Sequence, residues 1–198
     1  MPEPHPRRSR ARRPLNVLGT AAAVGALLFT ASPAALAAPT SATALAADPE
    51  SEYPCDPGLY RINTAGADRP LTVALSSGNH GSVIQYFWGD ESNQKWQVCR
   101  KHASDGRELV YFRDSWRGWC MVVDRWGKDD GNWIITVGCG DVVPENQAFW
   151  MAKVPGSNRF ALQNVNSGKW VAAQNHSDGL GYQIVQDSRP DLFYLQAV

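Results

Sequence analysis

Four histidines, four cysteines, a cluster of aspartates and eight tryptophans are the side chains through which this 198-residue chain could do chemistry. Hydrolysis needs a nucleophile beside a base, or a pair of carboxylates. No Gly-x-Ser-x-Gly and no His-Glu-x-x-His occurs, and His80, His102 and His176 each stand in polar loop sequence. Catalysis is not expected. Asp124, Asp129, Asp130 and Asn132 lack the twelve-residue spacing of a calcium cage and the glutamate that closes it. They read as a solvated turn, so no metal and no other cofactor is expected. Cys55, Cys99, Cys120 and Cys139 show no C-x-x-C spacing of a zinc or redox site. Their even number in an exported chain suggests two disulfides, with three pairings formally open. What remains is binding chemistry. Aromatic rings offer apolar faces, and planar polar groups offer hydrogen bonds, to a bound partner. A carboxylate is favoured there because charge-assisted hydrogen bonds are the strong ones.

The elements that position such groups begin after a leader. Arg7, Arg8, Arg10, Arg12 and Arg13 precede an apolar run from Val17 to Ala31, and Ala35-Leu36-Ala37 supplies a small-x-small cleavage pattern. The run falls short of the ~20 residues that a spanning helix needs. Residues 1–37 therefore read as a secretory signal, and the protein as secreted without a retained membrane anchor. A second site at Ala44-Leu45-Ala46 leaves the cut position open. Without the leader, Lys+Arg falls from 19 to 14 and Asp+Glu from 19 to 18, a net charge of −4. An acidic body suits phosphate backbones poorly, so nucleic acid is not an expected partner. Residues 38–54, rich in Ala, Pro, Thr and Ser, read as a flexible tail.

From Gly58 onward the chain repeats itself. Tyr60-Arg61-Ile62 aligns with Val110-Tyr111-Phe112 and Phe160-Ala161-Leu162, and Leu71-Thr72-Val73 with Met121-Val122-Val123 and Val171-Ala172-Ala173, at an offset of 50 residues each time. Apolar residues two apart suit one face of a strand. Third strands are expected at Val83-Ile84-Gln85, Trp133-Ile134-Ile135 and Tyr182-Gln183-Ile184. Fourth strands are expected around Trp96, Trp150 and Tyr194. Three four-stranded units, none able to bury its own apolar face, suggest closure about a pseudo-threefold axis. The expected fold is an all-β β-trefoil over 55–198, with units at about 58–107, 108–157 and 158–198.

Asn93-Gln94-Lys95-Trp96 closes the first unit and Asn146-Gln147-Ala148-Phe149-Trp150 the second, while the third keeps only Asp191-Leu192-Phe193-Tyr194. On these elements the chain resembles the ricin B-type β-trefoil lectins, whose units end in Gln-x-Trp. The resemblance implies a Cys120–Cys139 bridge within unit two, which leaves Cys55 to pair with Cys99. It also implies that Trp96, Trp150 and Tyr194 mostly fill the core, and that the protein is a monomeric lectin-like module whose partner is a glycan or polysaccharide.

The resemblance places the ligand carboxylate of the family in the second strand, where this chain has Thr72, Val122 and Ala172. All three units depart from the pattern. Unit one keeps most of the remainder: Gln85 and Phe87 stand 13 and 15 residues past Thr72, with Asn93 and Gln94 beyond, and Asp90 or Glu91 offers a carboxylate from the next loop. Unit two has Ile135 and Val137 at the matching spacing, and unit three Val185 and Asp187, with Tyr182 and Gln183 a small register shift away. The candidate sugar site is therefore Thr72, Gln85, Phe87, Asp90, Asn93 and Gln94. A second candidate surface lies in unit two, where Trp116, Trp119, Trp126 and Trp133 are interleaved with Arg113, Arg117, Asp124, Arg125, Asp129 and Asp130. Trp119 or Trp133 is expected in the core. Trp116 and Trp126 are expected to be exposed and to offer an alternative docking surface for a protein partner.

Overall fold

A computed structural model describes residues 53–76 and 81–198. The signal assigned to 1–37, the tail up to residue 52, and His80 lie outside the described residues. Twelve strands follow one another: β1 (Tyr60–Thr64), β2 (Arg69–Val73), β3 (Gly81–Gln85), β4 (Trp96–His102), β5 (Glu108–Asp114), β6 (Cys120–Val123), β7 (Ile134–Val137), β8 (Phe149–Lys153), β9 (Arg159–Asn164), β10 (Trp170–Ala173), β11 (Ile184–Asp187) and β12 (Phe193–Ala197). Six of them close a barrel. β1 pairs with β4, β4 with β5, β5 with β8, β8 with β9, β9 with β12, and β12 returns to β1, all antiparallel. The other six form three hairpins, β2–β3, β6–β7 and β10–β11. These meet one another through Ser82↔Ile135, Trp133↔Val185 and Ile84↔Gln183. A barrel capped by three hairpins about a pseudo-threefold axis is a β-trefoil, as the repeat implied.

The 50-residue offset is the symmetry of the core. Ile62, Phe112 and Leu162 are fully buried, and so are Leu71, Met121 and Val171. The closing aromatic sits one residue earlier than the sequence reading put it in two units. Trp96 is buried as expected, but its counterparts are Phe149 and Phe193, fully buried at the first position of β8 and β12. Trp150 and Tyr194 are displaced from the core because neighbouring strand residues point to opposite faces. Trp150 lies under the Arg107 guanidinium, 3.9 Å from the ring centroid. The Tyr194 hydroxyl donates to Asp68.

The three units meet at one side chain. Gln183, buried just ahead of β11, places its Nε2 2.9 Å from the carbonyl of Val83, 3.0 Å from Ile134 and 3.1 Å from Ile184. These are one carbonyl from each unit, at matching positions of β3, β7 and β11. Both cysteine pairings occur as implied, Cys55–Cys99 and Cys120–Cys139. Closing loops of 44 and 19 residues contributes about 4 and about 3 kcal/mol on the chain-entropy model. Replacing Gln183 by leucine leaves the converging carbonyls without a donor at 1–3 kcal/mol each, partly relieved by relaxation. Gln183→Leu is expected to lower the unfolding free energy by about 3 kcal/mol in chemical denaturation. A loss below about 1 kcal/mol would show that the axis is held by something else.

Candidate functional site

Backbone register decides which residues share a face, and it separates the unit-one candidates. Across the hairpins Thr72 faces Ile84, Val122 faces Ile135 and Ala172 faces Val185. The facing residue stands 13 positions on in units two and three but 12 in unit one, whose hairpin is one residue shorter. A one-residue slip moves every side chain to the other face. Gln85 therefore belongs opposite Leu71 and is fully buried. Its Nε2 donates to the carbonyls of Ser177 and Gly179 in unit three, at 2.5 and 2.6 Å. Gln186 does the same from unit three to unit two, donating to Gly127 and Asp129 at 3.0 and 2.8 Å. Gln85 is thus a clamp between units rather than a reader of sugar hydroxyls, and the same register puts Tyr86, not Phe87, at the stacking position.

The rest of the unit-one set is brought together but occupied. Gln94 donates from Nε2 to Thr72 Oγ1 at 3.1 Å and to the Phe87 carbonyl at 2.5 Å, and its Oε1 accepts the Gly89 N–H at 2.7 Å. Asn93 donates to the Val73 carbonyl at 2.8 Å. Thr72, Asn93 and Gln94 are buried, and these bonds hold the loop that leads to β4. Asp90 lies outside, paired with Lys95 at 2.8 Å. Phe87 is 59% exposed, its ring edge-on to Tyr86 at 5.8 Å and 5.4 Å from the Arg69 guanidinium. Of six residues, Phe87 and Asp90 alone face solvent.

Unit two holds the more developed site. A cleft of about 500 Å³ opens between the β6–β7 hairpin and the loop before β8. Its floor is Val122, Ile135 and Val137, and its walls include Asn146 and Gln147, the sequence counterparts of Asn93 and Gln94. Asn146 is buried and donates to the Val123 carbonyl at 3.3 Å; its Oδ1 has no hydrogen-bond partner among the described residues. The mouth is formed by Asp124, Arg125, Trp126 and Trp133. The indoles of Trp126 and Trp133 are 52% and 51% exposed. Trp126 stands in a tight turn, Asp124–Trp126, with Arg125 at φ 50° and Trp126 at φ 57°, a left-handed conformation that bulky side chains rarely adopt. Asn175 and His176 repeat it in unit three at φ 58° and 51°. The conformation thus belongs to the repeat. Unit two is distinguished by presenting a tryptophan there.

The other tryptophans do not behave alike. Neither Trp119 nor Trp133 enters the core, contrary to expectation, because Ile134 and Met121 already supply unit two's share of its floor. Trp116 is not an open ring either. It packs against the main core, and the Arg117 guanidinium lies 3.8 Å from its centroid and 4.8 Å from that of Trp119. Beneath this stack Asp114 accepts the backbone N–H groups of Arg117 and Trp119 at 2.6 and 3.1 Å. Burial pushes its carboxyl above the usual range against those bonds. A docking surface joining Trp116 to Trp126 is disfavoured by this geometry. In unit three the corresponding turn carries His176, whose Nδ1 lies 2.7 Å from Asp191 Oδ1, beside a cleft of about 320 Å³. The sequence signal for the unit-two cleft is the Asp-Arg-Trp-Gly turn, whose Trp126 belongs to the second candidate surface.

Exchange of the clamp and of the exposed ring separates structural from surface roles. Gln85→Leu is expected to cost about 2 kcal/mol by stranding two carbonyls. Phe87→Ala is expected to stay within about 0.5 kcal/mol. Paired urea titrations check both, and equal losses would contradict the assignment.

No protein-family model matches the chain, and no curated protein matches it in sequence. Solved structures do match. The designed 3-fold symmetric protein ThreeFoil superposes with a TM-score of 0.63 at 20% identity, over 71% of this chain and 99% of that one. An exo-β-1,3-galactanase from Clostridium thermocellum gives 0.61 at 17% identity, over 72% of this chain but 31% of the enzyme. The ricin B-like lectin of Macrolepiota procera, solved with lactose, gives 0.55 at 13% identity, over 71% of this chain and 95% of the lectin. At these identities the likeness establishes the architecture, and the chain is a β-trefoil.

Proposed function

We propose that this protein is a secreted, non-catalytic carbohydrate-binding module of the ricin B type and that its glycan site is the unit-two cleft. The observation that carries the reading is the pair of half-exposed indoles, Trp126 and Trp133, at the mouth of that cleft. Exposed aromatic faces of this kind suit the C–H face of a pyranose, and the Asp124 carboxylate beside them offers a charge-assisted acceptor for its hydroxyls. A trefoil neighbour solved with lactose supports the ligand class. Two disulfides support export, since such bonds form and persist in oxidising compartments.

The site moves from unit one to unit two relative to the family-based expectation. The amides of unit one are spent on its own loop and on the seam with unit three, whereas the open rings of unit two have no such duty. Trp126→Ala and Trp133→Ala are each expected to weaken retention on an immobilised glycan by about tenfold or more, which is about 1.4 kcal/mol. Thermal unfolding should change little, because both rings are half in solvent. The measurement is a glycan-array screen of the disulfide-bonded protein beside the two variants. Saturable binding that survives the double exchange would refute the site.

A further inference from the structure

The floor of the unit-two cleft carries information about which sugar fits. The hairpin side chains beneath the cleft are Val122 and Ile135, which face one another across the hairpin, and Val137 beyond them. None of these side chains can donate or accept a hydrogen bond. The polar side chains of the lining stand around that floor: Asn146 and Gln147 on the wall, and at the mouth Asp124, with 34% of its side chain exposed, and Arg125, with 90%, their charges 3.7 Å apart. A ligand seated between the indoles therefore meets two unlike surfaces. One edge faces charge and water. The other faces valine and isoleucine.

A hydroxyl turned toward that floor exchanges its water contacts for none, and stranded polar groups are disfavoured. A methyl group in the same place removes apolar area from water. The contrast between units supports a property of this cleft in particular. In unit one the Thr72 hydroxyl keeps a polar floor and is hydrogen-bonded to Gln94. In unit three Asp187 stands where unit two has Val137.

Resting on the reading of the cleft as a glycan site, we infer that its ligand is a methyl-bearing sugar, with the methyl turned to Val122, Ile135 and Val137 and a hydroxyl edge turned to Asp124. The methyl belongs to a 6-deoxyhexose or to an N-acetylated hexosamine. Both present the same chemistry to the floor. A fully hydroxylated hexose is the ligand that the floor selects against.

The test uses matched glycosides that differ only at that group: L-fucose against L-galactose, L-rhamnose against L-mannose, and N-acetylglucosamine against N-formylglucosamine. Each is titrated against the full, disulfide-bonded chain by calorimetry. A hydrophobic pocket discriminates one methyl or one added hydroxyl by about 10- to 200-fold, so at least one pair is expected to differ by about tenfold or more in favour of the methyl-bearing member. The first two pairs report a C6 methyl and the third an acetyl methyl, which separates the sources. Val137→Thr, at a half-buried position, adds a hydroxyl with little change of shape and is expected to shrink the preference. Val122→Asp tests the same point more severely, with its thermal unfolding recorded because the site is buried. Equal affinity within every pair, lost on Trp126→Ala, would overturn the methyl assignment and leave the glycan site standing. No saccharide bound by a protein that unfolds cooperatively would overturn both.

Discussion

Everything in this molecule hangs on a single amide nitrogen placed where three carbonyls converge. A pseudo-threefold trefoil brings the same backbone position of each unit to one axis, and here those positions are Val83, Ile134 and Ile184. Carbonyl oxygens repel one another, and burying them without donors is costly. Three equal side chains cannot share one point, so the symmetry must be broken by one of them. Gln183 does this. Ser82 and Trp133 hold the matching places in the other two units, and the partnering of these residues across the hairpins joins the cap. Because the axis needs only one amide, Trp133 is released from the interior and stands half exposed at the mouth of the unit-two cleft.

The seams between units follow the same logic of one solution used unequally. Gln85 and Gln186 each reach across to two carbonyls in a loop of the neighbouring unit, and Thr136 stands at their equivalent in unit two. Thr136 is too short for that reach and instead approaches the Gly81 carbonyl at 3.4 Å. The turns that precede the second strands differ likewise. Thr64, Asp114 and Asn164 close them with side-chain oxygens that accept the N–H of Arg69, of Arg117 and Trp119, and of Ser167 respectively. One geometric task is done by a hydroxyl, a carboxylate and an amide. Only the carboxylate incurs a burial penalty in its charged form, visible in the raised Asp114 carboxyl.

The period of 50 residues made the architecture legible, because core triplets such as Leu71, Met121 and Val171 must recur for the barrel to close. The cysteines were legible through the family pattern they fit. The site was harder, for a reason of parity. Counting 13 residues from Thr72 lands on Gln85, but unit one's shorter hairpin puts Ile84 opposite Thr72. Spacing along the chain does not count residues omitted from a turn, and in a strand an error of one exchanges inside for outside. The same parity made Trp150 look like a core residue when Phe149 beside it fills the place. Aromatic bulk at adjacent positions leaves the sequence ambiguous. The Asn-Gln spacing fixes the register: Gln94 stands two residues before Trp96, and Gln147 two before Phe149.

Core packing and the cleft lining are separable in this chain because they occupy opposite faces of the same hairpins. In β6, Met121 and Val123 point to the core while Val122 between them lines the cleft. A strand alternates its faces, so the residue at 122 points away from the core that Met121 and Val123 fill, although it is itself buried beneath the cleft. The lectin-type carboxylate is absent there, yet the barrel is complete. An apolar residue at that position is thus compatible with a complete fold. It sets the character of the cleft instead, where the hairpin lays valine and isoleucine beneath two indoles that the core does not use.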